Sequence, residues 1–158
     1  MAAPTPGTRL EPIGERLKRG YRILINIQGD ENINFWEMTV KPPGLDGGPP
    51  IDTTTQWNDV YRTMVPEALV TMTDMTFKAA YDPEVYDSVV ATINKERIIT
   101  VPFPDTSSIC FYGFLQKFEP SDASEKEMPT SSVTITPTNQ DPNTGDEEPP
   151  VYTPPTGT

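Results

Sequence analysis

The side chains that could do covalent or acid–base chemistry in this chain are few, and poorly placed for it. Cys110 is the one thiol and there is no histidine. Without imidazole, Ser–His and Cys–His nucleophile pairs and histidine-containing metal sites drop out. Cys110 lies in "SSICFYGFL", an aromatic-rich run that reads as a strand, so a buried, inert thiol is expected. Carboxylates do pair in sequence, Glu125 with Glu127 and Glu147 with Glu148. Such pairs run acid–base chemistry only in a cleft that drives their pKa values apart. These lie in hydrophilic connections, which predicts solvated charge. "GDEN" and "LDGG" lack the ligand spacing of a calcium loop, and no Gly-rich phosphate loop follows a strand and opens a helix. The expectation is a protein that is not an enzyme, with no catalytic residues, no cofactor and no metal.

Charge and composition narrow the partners. A net charge of -11 argues against gripping nucleic acid by its phosphates, which needs Lys and Arg to displace counterions. It does not exclude a surface past which DNA moves without sticking. Arg9, Arg16, Lys18, Arg19 and Arg22 cluster near the N-terminus, either as a solvated arm or to dock an acidic neighbour. No apolar run approaches membrane-spanning length and "MAAPTPGTRLEP" lacks the apolar centre of a signal peptide. A soluble protein made in the cytosol, without membrane insertion, is expected, and the lone cysteine fits a reducing compartment.

The elements that would carry any site are mostly strands. Residues 1–20 read as an arm, 21–137 as a β domain and 138–158 as a proline-rich acidic tail. "YRILINIQ" (21–28) alternates, and "FWEMTVK" (35–41) puts Trp36, Met38 and Val40 on one face; the two suggest a hairpin. Residues 69–81 form a long strand with Met75, Phe77, Ala79 and Tyr81 on one face. "YDPEVYDSVVATINK" predicts an amphipathic helix over 83–95, capped by Asp82, striped by Val85, Val89 and Ile93 with Tyr86 and Val90, and closed by Lys95. Strands follow at 97–103, 108–119 and 132–137. The tail has too little apolar material for a core and reads alone as disordered or polyproline-like. Its "PPVY" (149–152) has a form that aromatic grooves bind, though so short a match arises readily by chance.

One connection is out of proportion. Loops within domains run to about 4–6 residues. Here Pro42, Pro43, Gly44, Leu45, Asp46, Gly47, Gly48, Pro49 and Pro50 lead through Ile51 into the run Thr53, Thr54 and Thr55. Thr53 and Gln56 have capping-box spacing; Trp57, Val60, Tyr61, Met64 and Val65 follow at helical spacing up to Pro66. A short helix is expected there. A small β domain with a long loop, an arm and a tail suits a subunit of a repeating array.

The ordered set "IDTTTQWNDVYRTMVPEAL", "DMTFKAAYDPE", "ITVPF", "YGFLQKFEPS" and "MPTSSVTITPT" resembles the major tail tube protein of long-tailed (siphovirus-type) bacteriophages, over roughly residues 20 to 137. The resemblance implies a mainly β fold of two packed antiparallel sheets, a sandwich or partly closed barrel, with one flanking helix. It implies hexameric rings that stack into a tube conducting genomic DNA, which passes without tight binding. It implies the chain itself as partner, with a tape measure protein in the lumen and tail terminator and baseplate proteins at the ends. The implied location is the virion tail, assembled in the host cytoplasm. Residues 41–60 would be the inter-ring stacking loop, with Trp57 and Tyr61 as its anchors. An acidic subunit would favour a lumen that repels phosphates. The rival reading is an all-β virion decoration or adhesin-like module that binds partners through the same loop and the "PPVY" tail.

Overall fold

The computed structural model describes residues 26–28, 33–81, 83–103, 107–122 and 124–154. The expected basic arm, most of the strand over 21–28, the "GDEN" turn, the capping Asp82 and the last four residues lie outside them. In chain order the strands are β1 (Asn26–Gln28), β2 (Ile33–Asn34), β3 (Glu37–Lys41), β4 (Leu45–Asp46), β5 (Ile51–Asp52), β6 (Met64–Val65), β7 (Thr71–Met72) and β8 (Met75–Ala80). A single 3-10 turn, Pro83–Val85, then opens into α1 (Tyr86–Thr92). The remaining strands are β9 (Glu96–Pro102), β10 (Ser108–Pro120), β11 (Thr130–Pro137) and β12 (Val151–Thr153).

The main sheet is antiparallel throughout and runs β2-β1-β9-β10-β11-β8-β3, with β12 added beside the start of β10. Its two outer strands, β2 and β3, are neighbours in sequence, joined by Phe35 and Trp36 alone. That link spans at most about 11 Å, whereas a flat sheet of this order would hold its edges about 29 Å apart. The sheet must therefore curl until its edges meet at one corner. Phe35 is buried at that corner and packs edge-to-face on Phe77, ring centroids 5.2 Å apart. The mainly β reading, a partly closed barrel with one flanking helix, is borne out.

Alternation decides what fills the curl. Met75, Phe77 and Ala79 from β8, Val133 and Ile135 from β11, Phe111 and Leu115 from β10, and Ile99 and Val101 from β9 are all buried in one cluster. Thr76 and Lys78 between them point to water. Two expectations fail in detail. Within the described residues the strand 35–41 does not pair with 26–28; β1 pairs with β2, and β3 lies at the far edge paired with β8. A bulge between Glu37 and Thr39 shifts the register, so Phe35 and Val40 face inward while Met38 stands 54% exposed.

α1 is shorter than expected, ending at Thr92, with Asn94 in the left-handed region at φ 59° and its amide donating to Leu115 O at 3.0 Å. Lys95 lies beyond the last turn. The inward face is Val85, Val89 and Thr92, and Tyr86, Val90 and Ile93 face out. The acidic tail also differs from its expectation. Thr138 N donates to Tyr112 O (2.9 Å), residues 139–148 close a loop on themselves, and β12 pairs with Ser108–Cys110 of β10. Backbone pairing needs no apolar side chains, so a segment unable to build a core can still finish a sheet. The Val and Tyr of "PPVY" lie in that strand, in place of a polyproline helix.

Candidate assembly site

The long connection is a β-ribbon. In the main sheet Lys41 pairs with Thr76; beyond it Leu45 pairs with Met72 and Asp46 with Thr71, continuing the same register. Farther out Ile51 pairs with Val65 and Asp52 with Met64. Residues 42–74 thus extend the β3–β8 pair as one hairpin arm that, at about 3.3 Å per residue, reaches at most about 40 Å from Lys41 to Thr53. The expected helix over 53–65 is absent. Thr53 N donates to Thr63 O across the ribbon (2.9 Å), where a capping box would turn it to Gln56. The helical spacing of Trp57, Val60, Tyr61, Met64 and Val65 misled because a period reports structure only when one face is covered.

Proline and glycine break the ribbon into tiers. Pro42, Pro43, Pro49 and Pro50 have no amide to give a ladder. Gly44 replaces strand pairing with a clasp: its amide donates to Thr73 Oγ1 (2.8 Å) and its carbonyl accepts from Thr73 N (2.9 Å). Gly47 and Gly48 turn the chain toward β5, with Gly48 N donating to Asp46 Oδ1 at 2.9 Å, so "LDGG" is a turn. Gly48 holds φ 76°, and a side chain there would run into the Glu67 carboxylate.

Each threonine of the run has its own bond. Thr53 closes the last ladder rung with Thr63. Thr54 donates its amide to Asp52 Oδ1 (2.9 Å), and its Oγ1 accepts the Thr63 amide (3.2 Å). The hydroxyl and amide of Thr54 hold the Asp52 carboxyl below the usual carboxylate range. Thr55 donates its amide to Asn58 Oδ1 (2.8 Å), and Asn58 Nδ2 reaches Tyr61 O (3.1 Å). Asn58 is therefore the hub of the tip.

An ordered tip ought to present something, and it presents apolar surface. Trp57 is 93% exposed and Tyr61 82%, so neither packs on its own chain. Sequence reasoning missed their companions Val60, Met64, Val65, Leu69 and Val70 on the returning half, all exposed like Leu45 and Ile51. Leu69 and Val70 read as the start of a core strand because an apolar run looks the same whether its cover is its own chain or another molecule. From Gly44 to Thr71 only Asn58 is even half-buried. Neither face of the arm is covered.

Among the described residues no other group makes a competing site. Cys110 is buried, with Thr100 Oγ1 3.5 Å from its Sγ. Glu125 and Glu127 sit in an exposed turn, and Glu147 faces Gln140 across the closed loop. Burial, then the nearby Asp141, Glu148 and Cys110, push the Tyr112 phenol upward. Among the described residues no group of three or more Cys, Asp or Glu is placed to hold a metal ion, and no helix is long and apolar enough to cross a membrane.

No protein-family model and no curated protein matches the chain. Its fold is matched by solved structures. A chain of the anti-feeding prophage (AFP) baseplate, a six-fold symmetrised cryo-EM structure, aligns with TM-score 0.56 over 78% of this chain and 93% of that one, at 8% identity. A chain from the tail of an empty GTA particle, refined with C6 symmetry, aligns with TM-score 0.51 over 72% of this chain and 88% of its own, also at 8% identity. At that identity the likeness is one of fold, and the curled sheet is a fold shared with subunits of two six-fold tail or baseplate assemblies.

Proposed function

We propose that this chain is a structural virion protein, a tail tube subunit that forms six-fold rings stacked into a conduit for genomic DNA. The observation that carries the reading is the arm: a hydrogen-bonded ribbon whose apolar side chains, Trp57 and Tyr61 foremost, have no cover in the single chain. Exposed apolar patches of this kind mark interaction surfaces, and aromatic side chains dominate the energy of such contacts. The shared fold with chains of six-fold tail and baseplate particles supports the same class. Residues 42–55 with Trp57 and Tyr61 are then the stacking contact, anchoring to the next ring. Tape measure protein inside the tube and terminator or baseplate proteins at its ends complete the partners, and the place of action is the virion tail. The net charge of -11 supports DNA passing without tight binding. No catalytic step enters this function.

Electron microscopy of the purified chain tests it. Rings or tubes with six-fold symmetry are the expected result. Monomers at every concentration, with the arm instead binding a host or capsid surface, would favour the decoration or adhesin-like reading.

A further inference from the structure

The segment from Thr138 to Thr153 is held to the body mainly by backbone pairing. β11 ends opposite Gly113; Thr138 N then donates to Tyr112 O, and β12 takes up the same edge of β10, with Val151 opposite Cys110, Tyr152 opposite Ile109 and Thr153 opposite Ser108. Little apolar contact backs the strand: Val151 is half-buried, and Tyr152 and Thr153 are exposed. A strand held so lightly opens far more readily than the core strands beside it. Its junction with β11 is also frustrated. Asn139 stands in the left-handed region at φ 52°, uncommon for any residue but glycine. The buried side-chain oxygens of Thr138 and Asn139 have no hydrogen-bond partner among the described residues. Finally, the connection is far longer than the gap it bridges. Gly113 to Cys110 is about 10 Å of strand, whereas residues 138–150 extend to about 43 Å. The excess is wound into a mostly exposed loop, closed by Asp141 N to Asp146 O, Gly145 N to Asp141 O and Glu148 N to Asn139 O.

Resting on the tube reading above, we propose that β12 is an exchangeable strand: in the assembled array it leaves its own β10 and pairs with Ser108–Cys110 of an adjoining copy. Identity fixes the occupant of that edge. A neighbour's β12 brings the same residues in the same register, so the exchange loses no ladder bond. Reach allows it, because a body of this size is about 40 Å across, within the span of the unrolled connection. Unrolling also removes the costs of the closed form. Asn139 leaves its left-handed turn, and the oxygens of Thr138 and Asn139 gain access to water. The carboxylates of Asp141, Asp146, Glu147 and Glu148, gathered in the loop with no Lys or Arg between residues 138 and 158, move apart. What is given up is the loop's own hydrogen bonds, which pass to water at little net cost. Each copy gives one strand and receives one, a heterologous link of the kind that closes into rings.

The register supplies the test. Val151 lies directly opposite Cys110, and such partners have Cα atoms about 4.5–5.5 Å apart, within disulfide range. In full-length Val151→Cys, mild oxidation with copper–phenanthroline therefore joins each β12 to whichever β10 it is paired with. Circular dichroism and Tm of the reduced protein confirm the fold. If that variant is unstable, Ser108→Cys with Thr153→Cys replaces it, since those residues are also register partners. Oxidised in the assembled state and run on a denaturing gel without reductant, the chain should shift from a monomer band to a ladder of covalent multimers. The wild type, with Cys110 alone and buried, should give no ladder. Assemblies whose oxidised chain runs only as monomer, its thiols consumed, overturn the exchange and leave the tube reading standing. Thiols that stay free in both variants overturn it too, because β12 is then unpaired. If the chain builds no assembly, a monomer band overturns the tube reading and this inference with it, whereas covalent multimers would overturn the tube reading alone.

Discussion

Asn58 is the residue on which the order of the tip depends, because it bonds to both sides of the turn, at Thr55 and at Tyr61. Asn58→Ala should cost about 1 kcal/mol of local order, seen as faster hydrogen exchange at Thr55 with the Tm of the body unchanged. Gly113 stands at the other extreme of burial. A Cβ there would lie 2.7 Å from Thr136 O and 3.1 Å from Ile99 Cδ1, so strand β11 or the core must give way. Gly113→Ala should destabilise the whole fold by about 1–3 kcal/mol, measured by denaturant unfolding. Asp52 offers a pH test whose sign follows from its lowered pKa. A depressed carboxyl contributes stability above its unfolded value and loses it as pH falls through the folded value. The tip should therefore loosen at acid pH below the ordinary carboxylate range, with the Thr54 amide resonance shifting in step; an amide that does not move would show that the bond is not made.

At the scale of elements, the closed loop 139–148 and β12 form a lobe beside Tyr112, whose phenol is pushed up by burial and then by Asp141 and Glu148. A raised pKa stabilises the fold below the unfolded value and is lost as pH rises through the folded one. The lobe should open in strong alkali, and Asp141→Asn should bring the Tyr112 titration, followed by ultraviolet absorbance, down toward the usual tyrosine range. Elements also show what the sequence could and could not tell. β8 and β11 were legible because each alternates across a covered face, with Met75, Phe77 and Ala79 in and Thr76 and Lys78 out, whereas β9 and β10 were legible as apolar runs. The strand over 35–41 was legible as a strand but not in its facing, since the bulge at Met38 reverses the alternation midway. The arm was legible as an outsized connection carrying Trp57 and Tyr61, and illegible as a ribbon. Its pairing is made by backbone and threonine bonds, while its apolar spacing answers to no face of this chain. β12 escaped for a related reason, being held by pairing to β10 with Val151 only half-buried.

At the scale of the molecule, a curled sheet that nearly closes on itself protects most of its own edges, and the arm carries the exposed apolar surface out beyond it. On the proposed tube reading, this arm is an assembly element and contributes nothing to the fold that bears it. Sedimentation velocity and electron microscopy on the wild-type chain beside the chain with residues 53–63 replaced by Asn-Gly test that claim most directly. Six-fold rings or tubes are expected from the wild type, and from the variant an equally stable body that no longer stacks. A variant that assembles like the wild type, or one that fails to fold without its tip, would contradict it.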